Sequence, residues 1–229
     1  MKKIAFFDID GTVFRSSLLI ELVEGLIRAE VFSPEVRMKY KDSHEAWWNR
    51  EGSYEAYIND VVQAFMSNIK GVHYGVFADV GRTVVEAQSK RVYRYTRDLI
   101  LDLKAKGYCV VAISQSPKTI LDEFCASYGF DKVYGRIYEL GPRDSFTGAV
   151  VDEVLIKDKA TIIDRLLEQG GYTLEGSVGV GDTEGDISLL TKVEMPVCFN
   201  PNMKLYEHAK KMGWPVVIER KDVVYTINE

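Results

Sequence analysis

Three short apolar runs each break into a polar cluster, and this pattern restricts the fold more than any other feature of the chain. Lys3-Ile4-Ala5-Phe6-Phe7 runs into Asp8-Ile9-Asp10-Gly11-Thr12. Tyr108-Cys109-Val110-Val111-Ala112-Ile113 runs into Ser114, and Ser177-Val178-Gly179-Val180-Gly181 runs into Asp182-Thr183-Glu184-Gly185-Asp186. Short apolar runs bounded by glycine and polar residues read as buried parallel strands. An open α/β sheet binds its ligands beyond the carboxyl ends of the strands. Asp8, Asp10, Ser114, Asp182 and Asp186 are therefore expected to converge on one crevice. Four clustered carboxylates repel one another, and burial adds a desolvation cost. A divalent cation resolves the conflict, and oxygen-only donors favour Mg²⁺.

The first two runs are separated by roughly a hundred residues, about three times what a direct βαβ crossover needs. The excess reads as an insertion of helical period. Leu18-Leu19, Leu22-Val23 and Leu26-Ile27 form one apolar stripe; Tyr54, Tyr57-Ile58, Val61-Val62, Phe65-Met66 and Ile69 form another, ended by Gly71. Ser33-Pro34-Glu35 reads as an N-cap followed by proline at the first helical position. Val76 to Lys106 continues helically, with a weaker break at Gly81. The expected architecture is an α/β, Rossmann-like parallel sheet core, residues 1–15 and 89–229, with residues 16–88 inserted as a helical-bundle cap. Lys132 to Val154 alternates like a small hairpin, and Pro215 to Ile218 reads as the last strand.

At 229 residues, 46% hydrophobic and 28% charged, the composition is that of a globular protein. The net charge of −5 argues against a groove that attracts nucleic acid through its phosphates. Cys109, Cys125 and Cys198 have no metal-like spacing and read as free thiols in a reducing compartment. Asp8 and Asp10 interrupt the first apolar run too early for a signal peptide, and no apolar stretch approaches membrane-spanning length. A cytoplasmic protein, monomer or homodimer, with no membrane or nucleic-acid partner is expected.

Each polar cluster has a bland reading. Asp8 and Asp10 fit an Asx-type turn as well as a nucleophile beside a general acid/base. A calcium loop is excluded, because its sixth position requires glycine and here is Val13. Ser114 alone reads as an N-cap, and it lacks the glycine-flanked elbow of a serine hydrolase. A lysine at a helix N-terminus opposes the macrodipole, so Lys159, with Lys157 as the fallback, is a candidate for balancing the aspartates and holding phosphate oxygens. Asp182 and Asp186 also fit an N-cap with a first-turn acid. Their order, and their shared placement at strand ends, favours chemistry.

In that order the clusters resemble the four motifs of the haloacid dehalogenase superfamily of phosphohydrolases. Asp8-Ile9-Asp10-Gly11-Thr12-Val13 is similar to D-x-D-G-T-[LV], Ser114 to the strand-end Ser/Thr, Lys159 to the third-motif lysine, and Gly181-Asp182-Thr183-Glu184-Gly185-Asp186 to G-D-x-x-x-D. The helical cap, with Ile113-Ser114-Gln115-Ser116-Pro117 and Asn200-Pro201-Asn202, resembles the phosphoserine-phosphatase-like branch. The resemblance implies that Asp8 becomes an aspartyl-phosphate and that Asp10 serves as acid, then base. It implies that Ser114 and Lys159 hold phosphoryl oxygens, and that Mg²⁺ sits on Asp8, the Asp10 carbonyl and Asp182. Asp186 supports the metal's water shell or orients Lys159. The implied substrate is a small phosphorylated metabolite. A mutase of the same fold, phosphoserine phosphatase proper and a non-catalytic binding module are the alternatives. Phosphoserine phosphatases use a cap glutamate and a cap arginine; Ser17 stands where the glutamate is expected, and Tyr54 to Ile69 contains no Lys or Arg. Glu21 or Arg50 are the available substitutes, and Trp47, Trp48, Tyr54 and Tyr57 make the cap aromatic.

Overall fold

The computed structural model describes residues 1–152 and 158–227. Lys157 lies outside the described residues. Strand β1 (Lys2–Phe7) lies at the centre of an eight-stranded sheet. On one side of it lie β2 (Cys109–Pro117), β3 (Lys132–Leu140) and β4 (Phe146–Val151). On the other lie β5 (Tyr172–Gly181), β6 (Met195–Phe199), β7 (Val216–Arg220) and β8 (Val223–Ile227). Pairing is parallel from β3 through β7, and the β3–β4 and β7–β8 pairs are antiparallel. This is the Rossmann-like arrangement that the short apolar runs implied.

Strand alternation divides the core. Ile4 and Phe6 face one layer, where they pack with Val111, Ile113, Ile162, Leu166, Leu189 and Leu205. That layer holds α7 (Lys159–Glu168), α8 (Ile187–Lys192) and α9 (Met203–Met212). Ala5, Phe7 and Ile9 face the other, with Ile100, Leu121 and Phe124 from α5 (Arg94–Ala105) and α6 (Lys118–Ala126).

Between β1 and α5 the chain forms α1 (Leu18–Arg28), a 3₁₀ turn (Pro34–Lys39), α2 (Lys41–Trp48), α3 (Tyr54–Asn68) and α4 (Tyr74–Gln88). Their apolar faces join the second core layer without a gap: Leu22, Leu26, Val61, Phe65 and Phe77 belong to the same buried cluster as Phe7. The β3–β4 hairpin anchors them. Phe146 packs on Phe77 with ring centroids 5.0 Å apart, Tyr138 on Phe65 at 5.2 Å, and Gly71 donates its N–H to the Phe146 carbonyl at 2.8 Å.

Two local readings are corrected, and a third is refined. Gly81 does not interrupt its helix: it is buried within α4, which packs on α6, and the break falls instead between Gln88 and Arg94. Ser33 stands at the N-cap with Pro34 at the first position, as expected, but the helix it opens is a short 3₁₀ helix and its hydroxyl bonds the Glu35 carboxylate rather than a backbone N–H. β7 is not the last strand. β8 follows it as an exposed antiparallel edge, and its pattern lacks the buried run that marks the inner strands. No helix of the described residues is long and apolar enough to cross a membrane, and all three cysteines are free and buried.

Candidate active site

The site forms where β1, β2 and β5 end. The Asp8 N–H donates to the Val180 carbonyl at 2.9 Å, which carries the β1–β5 ladder one residue past the strand. The chain then folds over itself: the Ile9 carbonyl accepts from the N–H groups of Val13 at 2.9 Å and Phe14 at 2.8 Å. Gly11 has a φ of +85°, and a Cβ there would run into the Asp182 carboxylate. Glycine is therefore required for both its backbone conformation and its close approach. Gly181 has the same close approach to Asp186.

Asp8, Lys159 and Asp186 form a buried ion-pair chain. The Lys159 Nζ donates to Asp8 Oδ1 at 2.6 Å and to Asp186 Oδ1 at 2.5 Å. Lys159 is 4% exposed, Asp8 6% and Asp186 1%. Asp158 caps α7 by accepting from the Ala160 N–H at 3.0 Å, and this brings Lys159 in at the first helical position. The second oxygen of Asp186 accepts from the N–H groups of Asp182 and Thr183, each at 3.0 Å, and from the Thr183 hydroxyl at 3.3 Å. Asp186 is thus fully engaged, as an orienter of Lys159 and of the turn beginning at Asp182. Asp8 is not: its Oδ2 is buried without a hydrogen-bond partner.

Asp10 faces the other way. Its Oδ1 accepts from the Leu18 N–H at 2.6 Å, tying it to the first turn of α1. Its Oδ2 accepts from the Ser114 hydroxyl at 2.5 Å and the Ser116 hydroxyl at 2.9 Å, and Ser114 Oγ accepts from the Ser116 N–H at 2.9 Å. Asp182 lies across from Asp8 and accepts from the Thr12 hydroxyl at 3.2 Å. All six expected residues therefore meet at these strand ends. Ser116 and Thr12 were given no role from sequence. The i, i+2 spacing of Ser114 and Ser116 was the available signal for the former.

The electrostatics expose a deficit of positive charge. Burial pushes the Asp8 carboxyl up to about 7; Lys159 opposes this, while Asp186 and Asp10 add to it. Burial, then Asp8 and Asp186, hold Asp182 well above the usual carboxylate range against Lys159 and Thr12. Burial lowers the Lys159 ammonium, but Asp186 and Asp8 outweigh it and raise it overall. One ammonium does not neutralise this set. Asp8, Asp182 and Asp186 offer carboxylate oxygens within 4.8 Å of one another, close enough to hold one ion. The all-oxygen donor set and the shortfall of positive charge around it fit a hard divalent cation.

A mostly parallel sheet of this topology, with an acidic site at its strand ends and helices inserted after its first strand, is a Rossmann-like α/β fold. Residues 5–191 match the haloacid dehalogenase-like hydrolases, and the chain belongs to that family. It is 25% identical to a phosphoserine phosphatase of Methanocaldococcus jannaschii over 97% of this chain and 94% of that one. It is 23% identical to a histidinol-phosphatase of Neisseria meningitidis over 95% and 99%. Among solved structures it is similar to a Bordetella pertussis protein of unknown function, with a TM-score of 0.77 at 18% identity over 96% and 99% of the chains. It is also similar to a phospho-aspartyl intermediate analogue of phosphoserine phosphatase, with a TM-score of 0.61 at 22% identity over 96% and 95%.

Proposed function

We propose that this hydrolase is a Mg²⁺-dependent phosphomonoesterase that acts on a small phosphorylated metabolite through an aspartyl-phosphate on Asp8. The observation that carries the reading is the asymmetry of Asp8: Lys159 holds one oxygen and the other is buried without a partner. A carboxylate oriented in this way is a ready nucleophile. Asp8, the Asp10 carbonyl and Asp182 would hold Mg²⁺. Bound there, the ion supplies the missing positive charge and stabilises the charge of the transferring phosphoryl group.

The protein's own groups account for the remaining steps. Asp8 Oδ2 attacks phosphorus as the bond to the leaving alcohol oxygen breaks. Asp10, protonated, gives its proton to that oxygen. The Ser114 hydroxyl, which donates to Asp10 in the resting site, turns to donate to a phosphoryl oxygen beside Lys159. Asp10, now a carboxylate, takes a proton from a water that attacks the phosphoryl-aspartate, and phosphate leaves with Asp8 restored. Residues 16–88 act as the cap, coupled to the chemistry through the Leu18 N–H on Asp10. The relatives named as phosphoserine phosphatase and histidinol-phosphatase support the substrate class.

The test is Mg²⁺-dependent phosphate release from a panel of small phosphomonoesters. It is combined with rapid acid quench of a ³²P-labelled ester and peptide mapping of the label. Label on Asp8 and phosphate delivered to water are expected. Delivery to a second alcohol identifies a mutase instead, and no label under burst conditions contradicts the covalent route.

A further inference from the structure

Two serines share one oxygen of Asp10, and only the first, Ser114, reaches the phosphoryl group in the proposed reaction. β2 continues past Ser114 as far as Pro117, so Ser114 and Ser116 lie on one face of the strand and the exposed Gln115 on the other. Ser116 is 3% exposed and precedes Pro117, whose ring restricts the residue before it to extended backbone. The β2–β3 register shifts between Ile113 and Pro117, and there the Ser116 N–H turns to the Ser114 Oγ at 2.9 Å. The Ser116 hydroxyl donates to Asp10 Oδ2, also at 2.9 Å. One buried residue thus holds both members of the Ser114–Asp10 pair. Its hydroxyl does not serve the helix that follows: α6 begins at Lys118 with no side-chain cap.

The two oxygens of Asp10 are held differently. Oδ1 accepts from the Leu18 N–H at 2.6 Å, a backbone donor that cannot turn away. Oδ2 accepts only from hydroxyls, Ser114 at 2.5 Å and Ser116 at 2.9 Å, and is therefore the oxygen placed to carry and release a proton. Once Ser114 turns to a phosphoryl oxygen, Ser116 is the partner that remains on Oδ2. A hydroxyl donates to a carboxylate and accepts from a carboxylic acid. Ser116 therefore stays engaged in both states of Asp10, which an N–H donor cannot do. Its backbone acts at the same time on Ser114. With the Ser116 N–H on one lone pair, the Ser114 oxygen is fixed and only its O–H has to swing between Asp10 and the phosphoryl group.

We infer that Ser116 is a positioning residue: its hydroxyl holds Asp10 Oδ2 in place for the leaving oxygen, and then for the attacking water, after Ser114 has turned to the phosphoryl group. The inference rests on the phosphatase reading of the same site. Proton transfer demands close placement of the acid, so a carboxyl freed to rotate slows the steps that need it. Phosphate binding is not affected, because Ser116→Ala keeps the N–H that fixes Ser114 and leaves Lys159 untouched.

The experiment compares kcat/KM with Mg²⁺ for phenyl phosphate, whose leaving oxygen needs a proton, and dinitrophenyl phosphate, whose leaving group departs without one. The enzymes are wild type, Ser116→Ala, Ser116→Cys and Ser116→Thr, each checked by circular dichroism and thermal melting. Ser116→Ala, or Ser116→Cys if the alanine variant does not fold, is expected to lower the ratio of the phenyl to the dinitrophenyl ester by at least about tenfold, the scale of one hydrogen bond to a charged group. A smaller change in a folded variant overturns the role of Ser116. Equal losses on both esters, or an equal loss of inhibition by inorganic phosphate, show a merely structural role and contradict it. Ser116→Thr keeps the hydroxyl and is expected to retain most of the ratio; a folded threonine variant as poor as alanine contradicts the part assigned to the hydroxyl. A second arm follows the ³²P label on the enzyme after the dinitrophenyl ester is exhausted. Decay at least about fivefold slower in Ser116→Ala supports the role in the water step, and decay as fast as in wild type removes it. If wild type releases no phosphate from either ester, the phosphatase reading breaks and the role of Ser116 falls with it. Release with an unchanged ratio overturns Ser116 alone.

Discussion

The acidic strand-end site and the aromatic helices inserted after β1 meet where the Leu18 N–H donates to Asp10, yet they are held together by different means. In the site, almost every polar atom has a named partner, and the exception, Asp8 Oδ2, is where reactivity is expected. Lys159 and Asp186 are buried, so removing either leaves an uncompensated charge. In the cap, the side chains nearest the site are held by ring packing and by ion pairs that reach solvent, such as Glu55–Lys204, with both side chains about 60% exposed. The first arrangement tolerates almost no change. The second can be rebuilt one residue at a time without disturbing the chemistry beneath it. On the proposed reading, reaction type belongs to the strand ends and substrate choice to the helices laid over them.

Asp8→Asn challenges that division most severely. Turnover is expected to fall by roughly 10⁴-fold or more, as when other enzymes lose their nucleophile, while circular dichroism matches wild type. A variant that keeps substantial steady-state activity, free of contaminating enzyme, removes Asp8 from its role. Chelation tests the charge deficit of the same cluster. EDTA should abolish activity and Mg²⁺ restore it, and beryllofluoride with Mg²⁺ should inhibit by occupying Asp8 as a phosphoryl mimic. Full activity after exhaustive dialysis against chelator contradicts the metal reading.

Lys159→Met sharpens the structural half of the comparison. It leaves Asp8 and Asp186 buried without their cation, at a cost of about 3–5 kcal/mol in denaturant unfolding without added metal. A loss below about 1 kcal/mol, the level of an exposed pair, would mean that the chain of ion pairs is not the constraint inferred.

The smallest effect belongs to the cap. Burial of Glu24 raises its carboxyl, but hydrogen bonds from Arg37 and Tyr40 outweigh this and hold it below its ordinary value of 4.5. A carboxyl lowered in the folded state contributes stability that is complete above its unfolded value. That contribution is lost as the pH falls through the lowered folded value. Glu24→Gln should therefore flatten the acid limb of the stability profile, and should cost about 1 kcal/mol or less at neutral pH because the pair is partly solvated. Unchanged acid behaviour in urea melts across that range would show that Glu24 does not couple the cap to pH.

The inner strands were legible because burial on both faces demands continuous apolar runs, and such runs announce where they end. β8 has a β-branched run of its own, Val223-Val224-Tyr225-Thr226-Ile227, but that run lies exposed at the edge, so it did not announce a site. Gly81 misled because a helix-breaking preference of about 1 kcal/mol yields to packing, here of α4 on α6. Ser33 and Pro34 marked a helix start correctly, because an extended residue before a proline is a local preference.

Sequence alone determined the order of the chemical groups: which carboxylates, serine and lysine stand at strand ends, and that a helical insertion divides the first from the second. Local patterns suffice there, because strand period and strand termination are properties of neighbouring residues. Only the tertiary structure decided that Ser116 shares Asp10 with Ser114, that Thr12 reaches Asp182 across 170 positions, and that the first turn of α1 docks its Leu18 N–H on Asp10. These contacts depend on how strands align and how α1 packs over them, and that is set by the fit of apolar faces far apart in the chain. No local pattern carries that information.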